Sequence, residues 1–245
     1  MNFNLFINYW SSPIHDRNKE ILETISKNIN LNIFNNIIIF TEQDSVKDLK
    51  IFKNKCEIIV GSRKMYQDIF DYSNIFFSSE YDINILANSD IEFNETIKLL
   101  NDINKNDFIV LTRYNRPDNT IEKSFLPDML SDSQDVWCWK GFTKLINCNY
   151  YLGIPGCDNK IAFNAFDQGY DVRNPSLSII VYHNHDTNSR PGTSKCLNMR
   201  LERPYCFTKL TKLNEEYVIV LETLQSSSNI IKLTETQFKN IKNII

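Results

Sequence analysis

The chain has 245 residues, 42% hydrophobic and 23% charged, with a formal net charge of -3. That balance excludes a disordered chain and supplies a core for one sizeable domain, with or without a small appendage. With 27 basic against 30 acidic residues there is no excess of cations for nucleic acid, and no apolar run reaches the roughly 18 residues of a membrane span. The opening MNFNLFINYW lacks a basic leader and a small-residue cleavage site, so no signal peptide and a cytoplasmic location are expected. None of the 6 cysteines forms a C-x-x-C pair, which speaks against a zinc knuckle or a thioredoxin-like motif.

Phe3 to Tyr9 reads as an opening strand. Ser12-Pro13 then signals a helix start, and Ile21, Leu22, Ile25 and Ile29 form an apolar stripe at helical spacing. Asn36 to Phe40 and Glu57 to Val60 read as further strands, with Gly61-Ser62 leading into a short helix over 65 to 70. A fourth strand, Ile83 to Ala87, stops at Asn88-Ser89-Asp90. Asn94 suits the cap of a helix carrying Ile97, Leu100 and Ile103, and Phe108 to Leu111 is a fifth strand. Strands alternating with helices over short connections imply right-handed crossovers, hence an α/β, Rossmann-like half with a mainly parallel central sheet.

Beyond Arg113 the texture becomes more polar, until Asp135 to Lys140 reads as another strand. Gly153-Ile154-Pro155-Gly156-Cys157-Asp158 precedes a helix with Ile161, Ala162, Ala165 and Phe166 inward and Gly169 closing it. Leu177, Ile179 and Val181 alternate, predicting a strand that runs into His183-Asn184-His185. The spacing divides the chain into residues 1–113, 114–190 and an extension, 191–245, expected to pack on the core.

Three constellations could carry chemistry. Asn88, Ser89 and Asp90 end an apolar strand, where open α/β sheets bind ligands, although the same residue types are common in turns. Asp158 stands at a helix start, where a carboxylate can cap the helix or serve as a base. Two of only 3 histidines, His183 and His185, share one segment, and imidazole with carboxylate suits Mn²⁺ better than Ca²⁺. Phosphate-cradling glycine loops and the G-x-S-x-G elbow are missing from the sequence, which removes weight from dinucleotide oxidoreductases, P-loop proteins and α/β-hydrolases.

In this order the pieces resemble the GT-A fold of nucleotide-sugar-dependent glycosyltransferases, over roughly residues 3 to 190. Asn88-Ser89-Asp90 is similar to a D-x-D motif with its first acid replaced, and Ile154-Pro155-Gly156-Cys157-Asp158 is similar to the segment bearing the acceptor-side acid of inverting members, with Cys157 where Glu is commoner. Ser133 to Gly141 and the Gly-Ile-Pro-Gly-Cys-Asp-Asn run are similar to glycosyltransferase domains of large DNA viruses and bacteria. The resemblance implies Mn²⁺ or Mg²⁺ held by Asp90 with His183 or His185. It further implies Asp158 as the base, with Asp135 its competitor, and a donor, most simply a UDP-sugar, near Tyr9, Trp10, Arg17, Asn88 and Ser89. Arg63 and Arg190 are candidate phosphate partners or ordinary surface arginines. Trp137, Trp139, Tyr150 and Tyr151 would line an acceptor site or fill the core. A glycan or glycoprotein would be the acceptor, in a bacterial or viral-host cytoplasm. The alternatives are a nucleotidyltransferase and a non-catalytic nucleotide-sugar or glycan-binding module.

Overall fold

The computed structural model describes residues 1–116, 120–121, 130–185, 200–222 and 230–234. Its strands are β1 (Asn2–Tyr9), β2 (Asn36–Thr41), β3 (Glu57–Val60), β4 (Asp82–Ala87), β5 (Ile91–Glu92), β6 (Asp107–Leu111), β7 (Tyr114–Asn115), β8 (Thr120–Ile121), β9 (Leu130–Ser131), β10 (Val136–Lys140), β11 (Asp171–Arg173), β12 (Tyr182–His183), β13 (Tyr205–Lys209), β14 (Val218–Glu222) and β15 (Ile230–Thr234). Its α-helices are α1 (His15–Asn30), α2 (Tyr66–Phe76) and α3 (Cys157–Asp167).

The central sheet has 7 strands in the order β11-β6-β10-β4-β1-β2-β3. All run the same way except β10, which is antiparallel to both β4 and β6. The expected mainly parallel α/β sheet is therefore the one observed. Period-2 alternation splits each strand between two cores. Phe3, Leu5, Ile7 and Tyr9 of β1 join Ile21 and Ile25 of α1 on one face, while Phe6 joins Tyr66, Ile69 and Phe70 of α2 and Ile161 and Ala165 of α3 on the other. Strand β10 obeys the same rule: Val136 and Cys138 face the first core, Trp137 and Trp139 the second. Those tryptophans, with Tyr150, are thus core side chains rather than the lining of an acceptor site.

The ends of the helices follow local chemistry. The Ser12 hydroxyl accepts the Ile14 N–H at 3.2 Å just before α1, and the Asn94 side chain accepts the Thr96 N–H at 2.8 Å. The segment after Asn94, Glu95–Asp102, winds as 3-10 rather than α-helix, as does Val46–Phe52 between β2 and β3. A second correction concerns Leu177 to Val181. This stretch is not a strand, because the Pro175 carbonyl accepts both the Ser178 and Ile179 N–H groups at 2.9 Å and turns the chain. Ile179 and Val181 are nonetheless fully buried, so their alternation reports burial without a ladder.

Two smaller sheets frame the central one. Strands β5-β12-β7-β8 form one, at the site, and β15-β14-β13-β9 form an antiparallel other. Cys206 of β13 and Ile219 and Leu221 of β14 enter the same core as Trp137 and Ile161. Among the described residues Cys56, Cys138, Cys148, Cys157 and Cys206 are free thiols, and no helix is long and apolar enough to cross a membrane.

Candidate active site

The parallel strands β1, β2, β3 and β4 end on one face of the sheet, and β10 begins there, since Val136 pairs with both Ala87 and Leu111. A cleft of about 770 Å³, its open mouth included, lies over these ends. Its lining holds seven of the expected residues, Tyr9, Trp10, Arg17, Arg63, Asn88, Ser89 and Asp90. It also includes Gly153 of the Gly-Ile-Pro-Gly run, and it brings in Asn8, Thr41, Glu42 and Leu152, which the sequence did not single out. Arg190 lies outside the described residues.

Asp90 is fixed by short-range structure. The Ile91 N–H bonds back to the Asn88 carbonyl at 3.2 Å, closing a tight turn out of β4. Directly after it, Ile91 of β5 pairs with His183 of β12, which brings the imidazole to Asp90: His183 Nε2 lies 3.0 Å from Asp90 Oδ2. Asn184 is tied down on both sides, its N–H to the Asp90 carbonyl at 3.0 Å and its amide to Thr24 Oγ1 and Glu92 Oε2 at 3.0 and 2.9 Å. The two histidines flanking it then stand with ring centres 5.1 Å apart. One ligand atom from each of Asp90, His183 and His185 falls within 4.8 Å of the others, a carboxylate and two imidazoles in the proportion suited to a borderline divalent cation.

Arg17 reaches the same carboxylate from α1. It lies in phase with Ile21, Thr24 and Asn28, so helical spacing puts a guanidinium on the core-facing stripe, where it must be paired. It donates to Asp90 Oδ2, to the Asn184 carbonyl at 2.6 Å and to Glu20 at 3.0 Å. Burial alone would raise the Asp90 pKa. The His183 hydrogen bond and charge, with the charges of Arg17 and Arg113, reverse this and hold it at about 2. His185 is pushed the other way, below the usual imidazole value, by burial and then by Arg17 and His183, which favours the neutral form that binds metals.

Asp158 is built differently. It occupies the first turn of α3, whose start is set by Gly156 at φ +85°. A Cβ on that glycine would stand 2.8 Å from the Tyr205 hydroxyl, so both backbone and space demand glycine. The Cys157 thiol contacts Asp158 Oδ1 at 3.0 Å, and the Gln134 N–H approaches Oδ2 at 3.4 Å. Burial and the neighbouring Asp135 charge push the Asp158 pKa up to about 6, against the Cys157 hydrogen bond. Asp158 is half-buried and lies outside the lining of the cleft.

Asp135 joins the two regions. It is 4% exposed, with Arg113 Nη1 2.8 Å from each carboxylate oxygen and the Asn88 amide donating to Oδ1 at 2.8 Å. So engaged, Asp135 links Asn88 to Arg113, and its charge acts on Asp158. Arg113 went unremarked in the sequence as a functional group, although a cation directly following an apolar strand was a usable signal.

Of the two aromatic candidates in the β1–α1 loop, Tyr9 is buried and its hydroxyl is engaged by Asn18 and Asp48 at 2.9 and 3.0 Å. Trp10 is 48% exposed and presents its ring at the cleft. Arg63 is exposed, lies 5.0 Å over the Tyr151 ring and donates to the Leu152 carbonyl.

Fold and site together define an α/β protein with a polar cleft across the carboxyl ends of its parallel strands. No protein-family model matches the chain, and no curated protein does. Among solved structures it is similar to the 4-diphosphocytidyl-2C-methyl-D-erythritol synthase from Anaerococcus prevotii, with a TM-score of 0.50 and 11% identity over 81% of this chain and 94% of that one. S. aureus TarS 1–349 follows at 0.48, with 11% identity over 75% of this chain and 60% of that one. The inositol-1-phosphate CTP transferase from T. maritima stands at 0.46, with 13% identity over 81% and 95%. At such identity the first likeness establishes a shared fold.

Proposed function

We propose that the chain is a glycosyltransferase that moves a sugar from a nucleoside-diphosphate sugar to an acceptor hydroxyl with inversion. The observation that carries this reading is the pair of carboxylates with opposed surroundings: Asp90 held ionised among cations and imidazoles, Asp158 raised to about 6 beside Asp135. Paired groups driven apart in this way divide the work of fixed charge and proton acceptor.

Asp90, His183 and His185 are the residues to hold Mn²⁺ or Mg²⁺ at the donor diphosphate. Bound there, a divalent ion supplies Lewis acidity toward the leaving group. Arg63 is placed to meet phosphate oxygens and Trp10 to pack on a base. Asp158 accepts the acceptor's hydroxyl proton as that oxygen bonds to the anomeric carbon, whose bond to the diphosphate oxygen breaks with its electron pair leaving on the nucleoside diphosphate. At pH 7 a group of pKa about 6 is mostly ionised yet still basic enough to help.

The fold likeness to the 4-diphosphocytidyl-2C-methyl-D-erythritol synthase favours one second reading, a nucleotidyltransferase. Against it, the β1–α1 loop Tyr9-Trp10-Ser11-Ser12-Pro13 holds neither glycine nor lysine to cradle a triphosphate. The experiment is nucleoside-diphosphate release from a panel of sugar nucleotides with Mn²⁺, Mg²⁺ or EDTA. Metal-dependent release from one donor is expected. Pyrophosphate release from a nucleoside triphosphate and a sugar phosphate would install the second reading instead, and donor binding without turnover would leave a binding module.

A further inference from the structure

The residue that departs from the expected acidic pattern, Cys157, has a defined place beside the proposed base. Its side chain is 2% exposed at the first position of α3. The sulfur lies 3.0 Å from Asp158 Oδ1 and receives the Tyr66 hydroxyl at 3.7 Å. Tyr66 is fully buried at the first position of α2, its ring packed edge-on against Trp137 at 5.1 Å and tilted against Tyr150 at 5.3 Å. Its backbone N–H bonds to the Tyr150 carbonyl at 3.0 Å, and full burial with these ring contacts holds the phenol in place. A file of side chains thus runs from the aromatic core to the carboxylate.

We infer that Cys157 is a positioning residue for Asp158: the thiol, itself oriented by Tyr66, donates to Oδ1 and leaves Oδ2 turned toward the acceptor hydroxyl. The inference rests on the role of Asp158 proposed above. Chemistry fixes the direction of the contact. Burial and then the Asp158 charge push the Cys157 thiol well above its ordinary value, so the proton stays on sulfur, and an ionised carboxylate can only accept it. The groups facing Asp158 are Asp135 from the start of β10, Cys157 beside it, Tyr66 from α2 behind the sulfur and the Gln134 N–H. Asp135 favours the protonated carboxyl, and Cys157 opposes it. A thiol also suits this apolar corner better than a hydroxyl, because sulfur packs as a small hydrophobe and asks for fewer hydrogen bonds.

The test uses the full chain with Cys157→Ala, Cys157→Val and Cys157→Ser. Titration of the Asp158 carboxyl is followed by ¹³C NMR, with Asp158→Asn giving the assignment, and needs no turnover. The expected result is a midpoint about half a pH unit or more higher in the Ala and Val variants, which lack the donor, and a return toward wild type in Ser. The Val variant fills the space of the thiol, so an Ala variant that fails to fold does not end the test. The acid limb of kcat/KM should move up in step, with donor KM unchanged. An unmoved midpoint in a folded Ala or Val variant overturns the inference, as does a Ser variant that behaves like Val. If the midpoints move as expected but no donor is turned over at any pH, the thiol's hold on the Asp158 carboxyl stands, and the glycosyltransferase reading falls together with the acceptor-facing role of Oδ2.

Discussion

Asp90 and Asp158 are the same side chain, one in the turn after β4 and the other in the first turn of α3, and their surroundings treat its charge in opposite ways. Around Asp90 a helix, a turn and a two-residue strand converge to supply Arg17, His183 and His185. Around Asp158 the nearest charge is another carboxylate, and the help available is a thiol and a distant N–H. The first environment makes a permanent anion for cations to gather on. The second makes an anion that gains by taking a proton. What separates them is the sign of the neighbours rather than the depth of burial, since burial raises both.

The largest effect should come from removing the permanent anion. Asp90→Ala is expected to lower metal-dependent donor turnover about 10³-fold, because several kcal/mol of charge stabilisation rest on it. A variant within tenfold of wild type in steady-state kinetics would erase the contrast. Asp158→Asn should cost about 10² to 10³ in kcat while leaving donor KM in place, as loss of a general base does. In the wild type, activity should fall below pH about 6, where Asp158 takes up its proton.

The same substitution has an opposite effect on stability. Asp158 has a folded pKa raised above its unfolded value of 3.8, so its contribution is complete below that value and is lost as pH rises through about 6. Asp158→Asn should therefore be more stable than wild type at pH 7 by up to about 3 kcal/mol, with the gap closing near pH 4. Thermal melts across that range check it. Gly156→Ala, which forces a Cβ toward Tyr205 at a left-handed position, should destabilise by about 1–3 kcal/mol and disturb Asp158 while sparing metal binding at Asp90. The smallest change is Trp10→Ala, expected to raise donor KM about tenfold through lost stacking, with the pH limb of Asp158 unmoved.

Much of the scaffold was legible because β1, β2, β4, β6 and β10 announce themselves as short apolar runs closed by polar residues, and α1 by its stripe. The turn after Pro175 was not, since Ile179 and Val181 alternate for reasons of burial alone. Asp90 and the histidines could be proposed from residue type, and their meeting depends on a two-residue pairing of β5 with β12 that no periodicity signals. Asp135 looked like a rival base because its partners lie 22 and 47 positions away, at Arg113 and Asn88. Arg17 was named for the donor, while its pairing with Asp90 follows from its place on α1: a charge in phase with Ile21 and Ile25 has to find an anion.

Strand β10 carries one more consequence. It is the one member of the central sheet that starts at the cleft face rather than finishing there, so the connection from Leu111 to Val136 both leaves and returns on that face. A loop with this itinerary can be exchanged or lengthened without re-threading the sheet. Thr112 and Arg113 at one foot and Gln134 and Asp135 at the other are clamped by hydrogen bonds, and between them β7 pairs with β12 and β9 with β13. An edit to that connection would therefore be felt at His183 through β12 as well as at β13, so the Asp90 side of the cleft and this connection change together.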